Sequence, residues 1–220
     1  QYQHIPDLLH KLDQENPVYF HDRAILFQKV SVNKLIYYIN TGAVDQLEKL
    51  EPDIEVGIHK YGINPESVIA IMANLAIGLF MIEKYSKCEV WCRKLIKSSA
   101  KMKPKLDIQK GIHLLNLIAV LESGDLDKLE NALRSTSRFL HQIYEGKTDG
   151  FEFLVLSYLR ELMNAPSGEV RTIYRDIRIF LLEVKSSPLI QAPIGMDELL
   201  LAWANHKIER KPMVSYILKK

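Results

Sequence analysis

Cysteine is scarce in this chain: its 220 residues include two, Cys88 and Cys92. Four residues apart on a helix, their Cβ atoms would sit about 5–6 Å apart on one face. A disulfide needs Cβ atoms about 3.8 Å apart. The pair therefore reads as two reduced, packed thiols in a reducing compartment, which points to the cytoplasm. No further Cys or His flanks the pair at finger or ribbon spacing, so no metal site is expected. Long apolar runs are missing too. The most apolar stretch, Val68 to Ile82, has 15 residues and contains Asn74; a spanning helix needs about 20, so a buried core helix is expected and no membrane insertion. Charge of one sign is absent: 29 basic against 27 acidic residues leave a net charge of +2, which argues against a dedicated polyanion binder. No sustained period-2 alternation brackets a hairpin turn, so no strands are expected. Patterns of the HExxH, GxGxxG, Walker A, GxSxG and DxDxDG kinds are all absent. No serine or cysteine has a recognisable base nearby, and the acidic residues are scattered singly. The chain reads as non-catalytic, with no catalytic residue and no cofactor.

Hydrophobic residues make up 47% and charged residues 25% of the chain, ordinary globular values that exclude disorder and collagen-like structure. At 25.4 kDa the length suits one domain or one short repeat array over residues 1–220. Starting at Gln1, the chain is expected to be a piece of something longer. Apolar residues recur at helical spacing, as in Leu129, Leu133, Leu140 and Ile143. Turn residues punctuate the segments: Gly42, Gly62, Asn64-Pro65, Pro104, Gly124, Gly146, Gly150, Pro166 and Pro188. Asn64 with Pro65 makes a helix start, and Asp125 and Ser167 read as further caps. About nine or ten helices are predicted, near 6–15, 18–41, 43–61, 65–83, 85–102, 104–123, 125–145, 150–164, 168–186 and 196–209.

Self-comparison is the informative step. The segments starting at Asn33, Asn74 and Leu115 superpose at a constant offset of 41 residues. Columns that agree include Ile36, Ile77 and Ile118; Ile39, Phe80 and Leu121; Val44, Tyr85 and Leu126; Leu47, Cys88 and Leu129; and Glu48, Glu89 and Glu130. Each unit is a long helix, a short turn and a second helix, with turns near Gly42, Lys84 and Gly124. Units fall near 18–62, 65–102, 104–145 and 150–187, the last a weaker copy, followed by a terminal helix at 196–209. In the middle unit, Leu75, Ala76, Leu79, Tyr85, Cys88, Cys92 and Leu95 match tetratricopeptide spacing, so the unit resembles that repeat family with a longer period. Residues 74–96, 114–140 (with Leu133 to Phe139) and 197–203 resemble a group of uncharacterised bacterial tetratricopeptide-like proteins. The resemblance implies an all-α solenoid of antiparallel helix pairs. It also implies a scaffold or protein-interaction role with another protein or peptide as partner, and it brings no activity to transfer.

Candidate partner-binding residues follow from this frame. Asn33 and Asn74 occupy equivalent places on first helices, where side chains in tetratricopeptide arrays contact a bound peptide. Arg134 and Arg138, four apart, share a face and can fork toward a carboxylate, although Glu130 one turn earlier offers Arg134 a local pair. From Glu83 to Lys110 nine basic residues face three acidic ones. Arg93 and Lys97 are the candidate contacts there, either for an anionic partner, nucleic acid included, or as part of a solvated helix face. No base-stacking aromatics are interleaved, so nucleic acid is the alternative and not the first choice. The two isoleucine-led columns would form an apolar groove if uncovered, open to a peptide or small ligand. Soluble proteins seldom leave such a patch bare, so the columns are expected to be mostly buried. The terminal segments from Pro6 and Asp197 are the candidate covers. Of the seven histidines, His113 and His141 lie on paired helices and could approach each other.

Overall fold

The computed structural model describes residues 4–102, 104–148, 150–186, 190–193 and 195–217, with the backbone alone at Val44, Ala100 and Leu126. The Val44 and Leu126 side chains, Lys103, Pro188 and the end of the fourth unit at residue 187 thus lie outside what is described. Eleven helices and no strands occur among the described residues: α1 Ile5–Gln14, α2 Phe20–Thr41, α3 Val44–Tyr61, α4 Pro65–Met81, α5 Tyr85–Met102, α6 Leu106–Ser123, α7 Leu126–Ile143, α8 Phe151–Asn164, α9 Val170–Ser186, α10 Met196–Glu209 and α11 Val214–Ile217. Ten match the predicted segments to within about two residues; the four-residue α11 had no signal of its own.

Local chemistry sets the ends. Asn64 accepts the Ser67 N–H at 2.9 Å and Asp125 accepts the Lys128 N–H at 3.0 Å, each satisfying an amide that the first helical turn leaves without a partner. Ser167 lies instead in the turn before α9, which starts at Val170. The turn inside each of the first three units is left-handed at one repeat position: Gly42 at φ 68°, Glu83 at φ 62° and Gly124 at φ 74°. In the first two units the next amide reaches five residues back, Ala43 to Tyr38 at 3.1 Å and Lys84 to Leu79 at 2.9 Å, as in a Schellman closure. Glu83 takes this conformation without being glycine, against the preference of L-residues.

Each long helix packs on the one after it, and α2 packs on α4, α4 on α6 and α6 on α8. The column Leu47, Cys88, Leu129 is buried in all three units. Both thiols are free and fully buried, with Sγ atoms 3.9 Å apart, and burial pushes the Cys88 thiol up. Val68 to Ile82 forms most of α4 and its C-cap, buried over much of its length. Helix α10 packs on α9 and reaches α6 through single side chains. Met196 is close enough to Gly111 that a Cβ there would come within 3.3 Å of it, and Trp203 and Lys207 reach Glu122 at the far end of α6.

The expectation that both apolar columns are mostly buried needs correction at one end. Phe80 and Ile118 are fully buried and Ile39, Ile77 and Leu121 half-buried, but Ile36 is 41% exposed. The terminal segment from Asp197 reaches Glu122 at the end of α6 and Glu83 in the α4–α5 turn. Helix α1 packs on α2 and ties Asp13 to Lys34 at 2.6 Å, leaving Ile36 uncovered.

Candidate functional site

Helix α7 is strongly amphipathic, and its stretch Leu133 to Phe139 divides accordingly. Thr136 points inward, with its hydroxyl 3.4 Å from the His113 carbonyl, while Phe139 stacks on the His113 ring at 4.0 Å. Arg134 and Arg138 face outward. With His141 one turn on and Arg160 from α8, they line a groove of about 430 Å³ whose floor includes the half-buried Leu133. Glu130 is the one acidic group lining it, and it pairs with Arg134 at 2.9 Å. No acidic side chain among the described residues pairs with Arg138 or Arg160. His113 and His141 do not meet: His113 is buried against Phe139, and His141 packs on Phe153 at 5.1 Å. Burial alone pushes the His113 imidazole down to about 4, because desolvation disfavours its charged form.

The other sequence candidates are placed differently. Asn33 donates to the Lys29 carbonyl and Asn74 to the Ala70 carbonyl, each at 2.8 Å. Both side chains thus bond back to their own helix, Asn33 exposed and Asn74 half-buried. Much of the basic run meets the acidic edge of α3. Lys84 and Lys87 reach Glu48 at 3.3 Å, Lys87 reaches Glu51 at 2.7 Å, and Lys94 pairs with Glu55. Glu51 also accepts from Trp91 Nε1 at 2.9 Å. Hydrogen bonds from Lys87 and Lys84 hold the Glu48 carboxyl below the usual range. Arg93 turns back onto the buried Glu89 at 2.9 Å, and Lys97 stays exposed beside Trp91 and Lys94. The segment from Lys84 to Lys110 is therefore in part a surface ion-pair seam, with acidic partners for Lys84, Lys87, Arg93, Lys94 and Lys110.

Two buried carboxylates carry polar networks that sequence reasoning missed. Glu122 accepts from Trp203 Nε1 at 2.8 Å, from Tyr174 OH at 3.5 Å and from Lys207. Burial and then the Glu122 charge push the Tyr85 and Tyr174 phenols well up. His206 lies 3.5 Å from Glu83 at the edge of this cluster. Glu152, fully buried in the first turn of α8, accepts from Tyr144 OH at 2.6 Å, and Lys110 in turn donates to Tyr144 OH at 2.8 Å. Burial opposes the Lys110 charge, but the Tyr144 hydrogen bond and the Glu152 charge outweigh it and raise its pKa. The only early signal for either was an isolated acid at a helix end or start, which many surface residues share.

Among the described residues no three His, Cys, Asp or Glu side chains converge as a metal site, and no helix is long and apolar enough to cross a membrane. No protein-family model matches the chain, and it matches neither a curated protein nor a solved structure.

Proposed function

We propose that this chain is a tetratricopeptide-like α-solenoid that acts, without catalysis, as a cytoplasmic protein-interaction or scaffold module, its partner docking an acidic segment on the Arg134–Arg138–Arg160 face. One observation carries the array reading: an inter-unit ion pair that recurs with the repeat. Glu48 of α3 pairs with Lys87 of α5, 39 residues on, and Glu89 of α5 pairs at 3.7 Å with Lys128 of α7 at the same spacing. The turn residues Gly42, Glu83 and Gly124 repeat every 41 residues, the offset by which the pair itself recurs. Recurring contacts between neighbouring units are what a quasi-one-dimensional array is built on, and such arrays present large surfaces suited to binding. The arginine face adds the chemistry, since guanidinium groups fork onto carboxylates and are enriched where interfaces concentrate energy. The ion-pair seam leaves less free charge for the nucleic-acid alternative. The burial of Phe80 and Ile118 leaves less open groove for an apolar ligand.

Capture with immobilised chain tests this reading. Protein partners retained by the wild type should be lost from the Arg138→Glu/Arg160→Glu double variant, with helical content unchanged. Equal capture by both chains, or recovery of nucleic acid in place of protein, would overturn it.

A further inference from the structure

A polar cleft of about 470 Å³ lies between the start of α6, the start of α8 and the segment 190–193. Its polar side chains come from Asp107, Lys110, Tyr144, Glu152 and the exposed Gln191, and the half-buried Ile190 and Ala192 supply an apolar side. Three features mark it as built. Glu152 is fully buried, and while its Oε2 takes the Tyr144 hydroxyl, its Oε1 has no hydrogen-bond donor among the described residues. Lys110 Nζ stands 3.5 Å from that oxygen, in Coulomb contact but outside hydrogen-bonding geometry, and spends one N–H on Tyr144. Gly150 leaves the room this needs: a Cβ there would sit 2.9 Å from the Tyr144 hydroxyl and 3.2 Å from Glu152 Oε2. Buried carboxylate oxygens are seldom left without a donor unless a ligand or water completes them, and clefts of this size with a few convergent polar groups are where small ligands bind.

Charge decides the ligand class. Lys110 offsets Glu152, and Asp107 at the rim is exposed and solvated. A charged ligand would leave a charge without a partner in a half-closed site, which is costly. What the pair still needs is a donor for Glu152 Oε1 and an acceptor for Lys110, side by side. Two neighbouring hydroxyls supply both, because each hydroxyl can donate and accept. We propose that this cleft binds an uncharged polyol or sugar through a vicinal diol, one hydroxyl donating to Glu152 Oε1 and its neighbour accepting from Lys110 Nζ. The flexible lysine stem lets Nζ swing off Oε1 to admit the diol, and the apolar face of a sugar ring lies against Ile190 and Ala192.

Sugars raise melting temperatures without binding, through exclusion from protein surfaces, so the test reads contact directly. Saturation-transfer NMR is run with D-glucose, D-ribose and myo-inositol, and with 1,3-propanediol as a diol lacking adjacent hydroxyls. Transfer to at least one of the first three and none to propanediol is expected. Glu152→Gln keeps the shape of the side chain, and Lys110→Met acts at the cleft wall; each should weaken binding at least about tenfold. Arg138→Glu, outside the cleft, should bind as the wild type does. Absence of transfer to all three, equal transfer to propanediol, or full binding by either folded variant would overturn the proposal. If Glu152→Gln does not fold, Lys110→Met decides alone.

Discussion

Ile36 and Ile118 hold the same place in two units of one repeat, yet Ile36 is 41% exposed and Ile118 is fully buried. The residue type, the helix and the register are shared. What differs is the neighbour. Over α6 the chain folds α9 and α10 back, with Trp203, Tyr174 and Lys207 converging on Glu122. Against α2, outside the repeat, packs α1, which leaves Ile36 exposed. A repeat thus fixes which side chains share a face, while burial of that face is decided by elements outside the repeat.

The largest effect should come from testing that contrast directly. Phe80→Ala is expected to cost about 3–5 kcal/mol and Ile118→Ala about 2–5 kcal/mol, through lost transfer energy and the cavity left behind. Ile36→Ala should cost under about 1 kcal/mol, since much of its side chain already meets water. Urea melts of the three variants make the measurement. A thermally silent Phe80→Ala, or an Ile36→Ala as costly as Ile118→Ala, would abolish the distinction between covered and open ends.

Breaking the cover is the next step down. Glu122→Ala leaves Lys207, Trp203 and Tyr174 without their common acceptor. Removing one partner from a buried ion pair typically costs about 3–5 kcal/mol; here about 2–4 kcal/mol is expected, because the Lys207 side chain is 25% exposed and regains some water. Dye binding to apolar surface should rise in this variant as α10 loosens from α6. If the variant melts as the wild type does, the cluster is decoration and packing of Met196 and Leu200 holds α10 down.

The open and covered ends also differ in how readable they were. Asn64 and Asp125 announced their helices because caps act within one turn. The turn positions and the buried column Leu47, Cys88, Leu129 were legible because periodicity encodes a shared face. The partners of Glu122 were not, lying 81 and 85 residues away in sequence. Glu152 depends likewise on Lys110 from another unit. The partners of the basic run were out of reach for the same reason: Glu48, Glu51 and Glu55, which pair with Lys84, Lys87 and Lys94, sit on α3 some 36–39 residues earlier. Arg134 and Arg138 were readable as a shared outward face, but Arg160 joined them only through the packing of α7 on α8.

Acid should act through the covered core. His113 is buried on α6, its imidazole held neutral with a pKa of about 4, against about 6.5 in an unfolded chain. The folded pKa is depressed, so between those values the unfolded chain binds the extra proton. Stability therefore falls as pH drops from about 6.5 to 4, at up to about 1.4 kcal/mol per pH unit from this group. Melting His113→Leu beside the wild type at pH 7 and pH 5 isolates it, and the variant should lose less on acidification. An identical slope in both chains would mean that His113 takes up its proton without unfolding.

The smallest expected effect falls on the arginine face, and its smallness is informative. Arg138 is exposed and pairs with no acidic side chain among the described residues, so Arg138→Ala should change stability by no more than about 0.5 kcal/mol. Arg134→Ala gives up an exposed i,i+4 pair with Glu130 at 2.9 Å, worth about 0.3–0.5 kcal/mol in such settings. Residues that cost almost nothing to remove from the fold, yet cluster with one sign of charge beside an apolar floor, are free to answer to a partner. If Arg138→Ala instead destabilised the chain by 2 kcal/mol or more, on the order seen for buried groups, the side chain would be bracing α7 against α8. The face would then be part of the scaffold, and the partner would have to dock at the open end around Ile36.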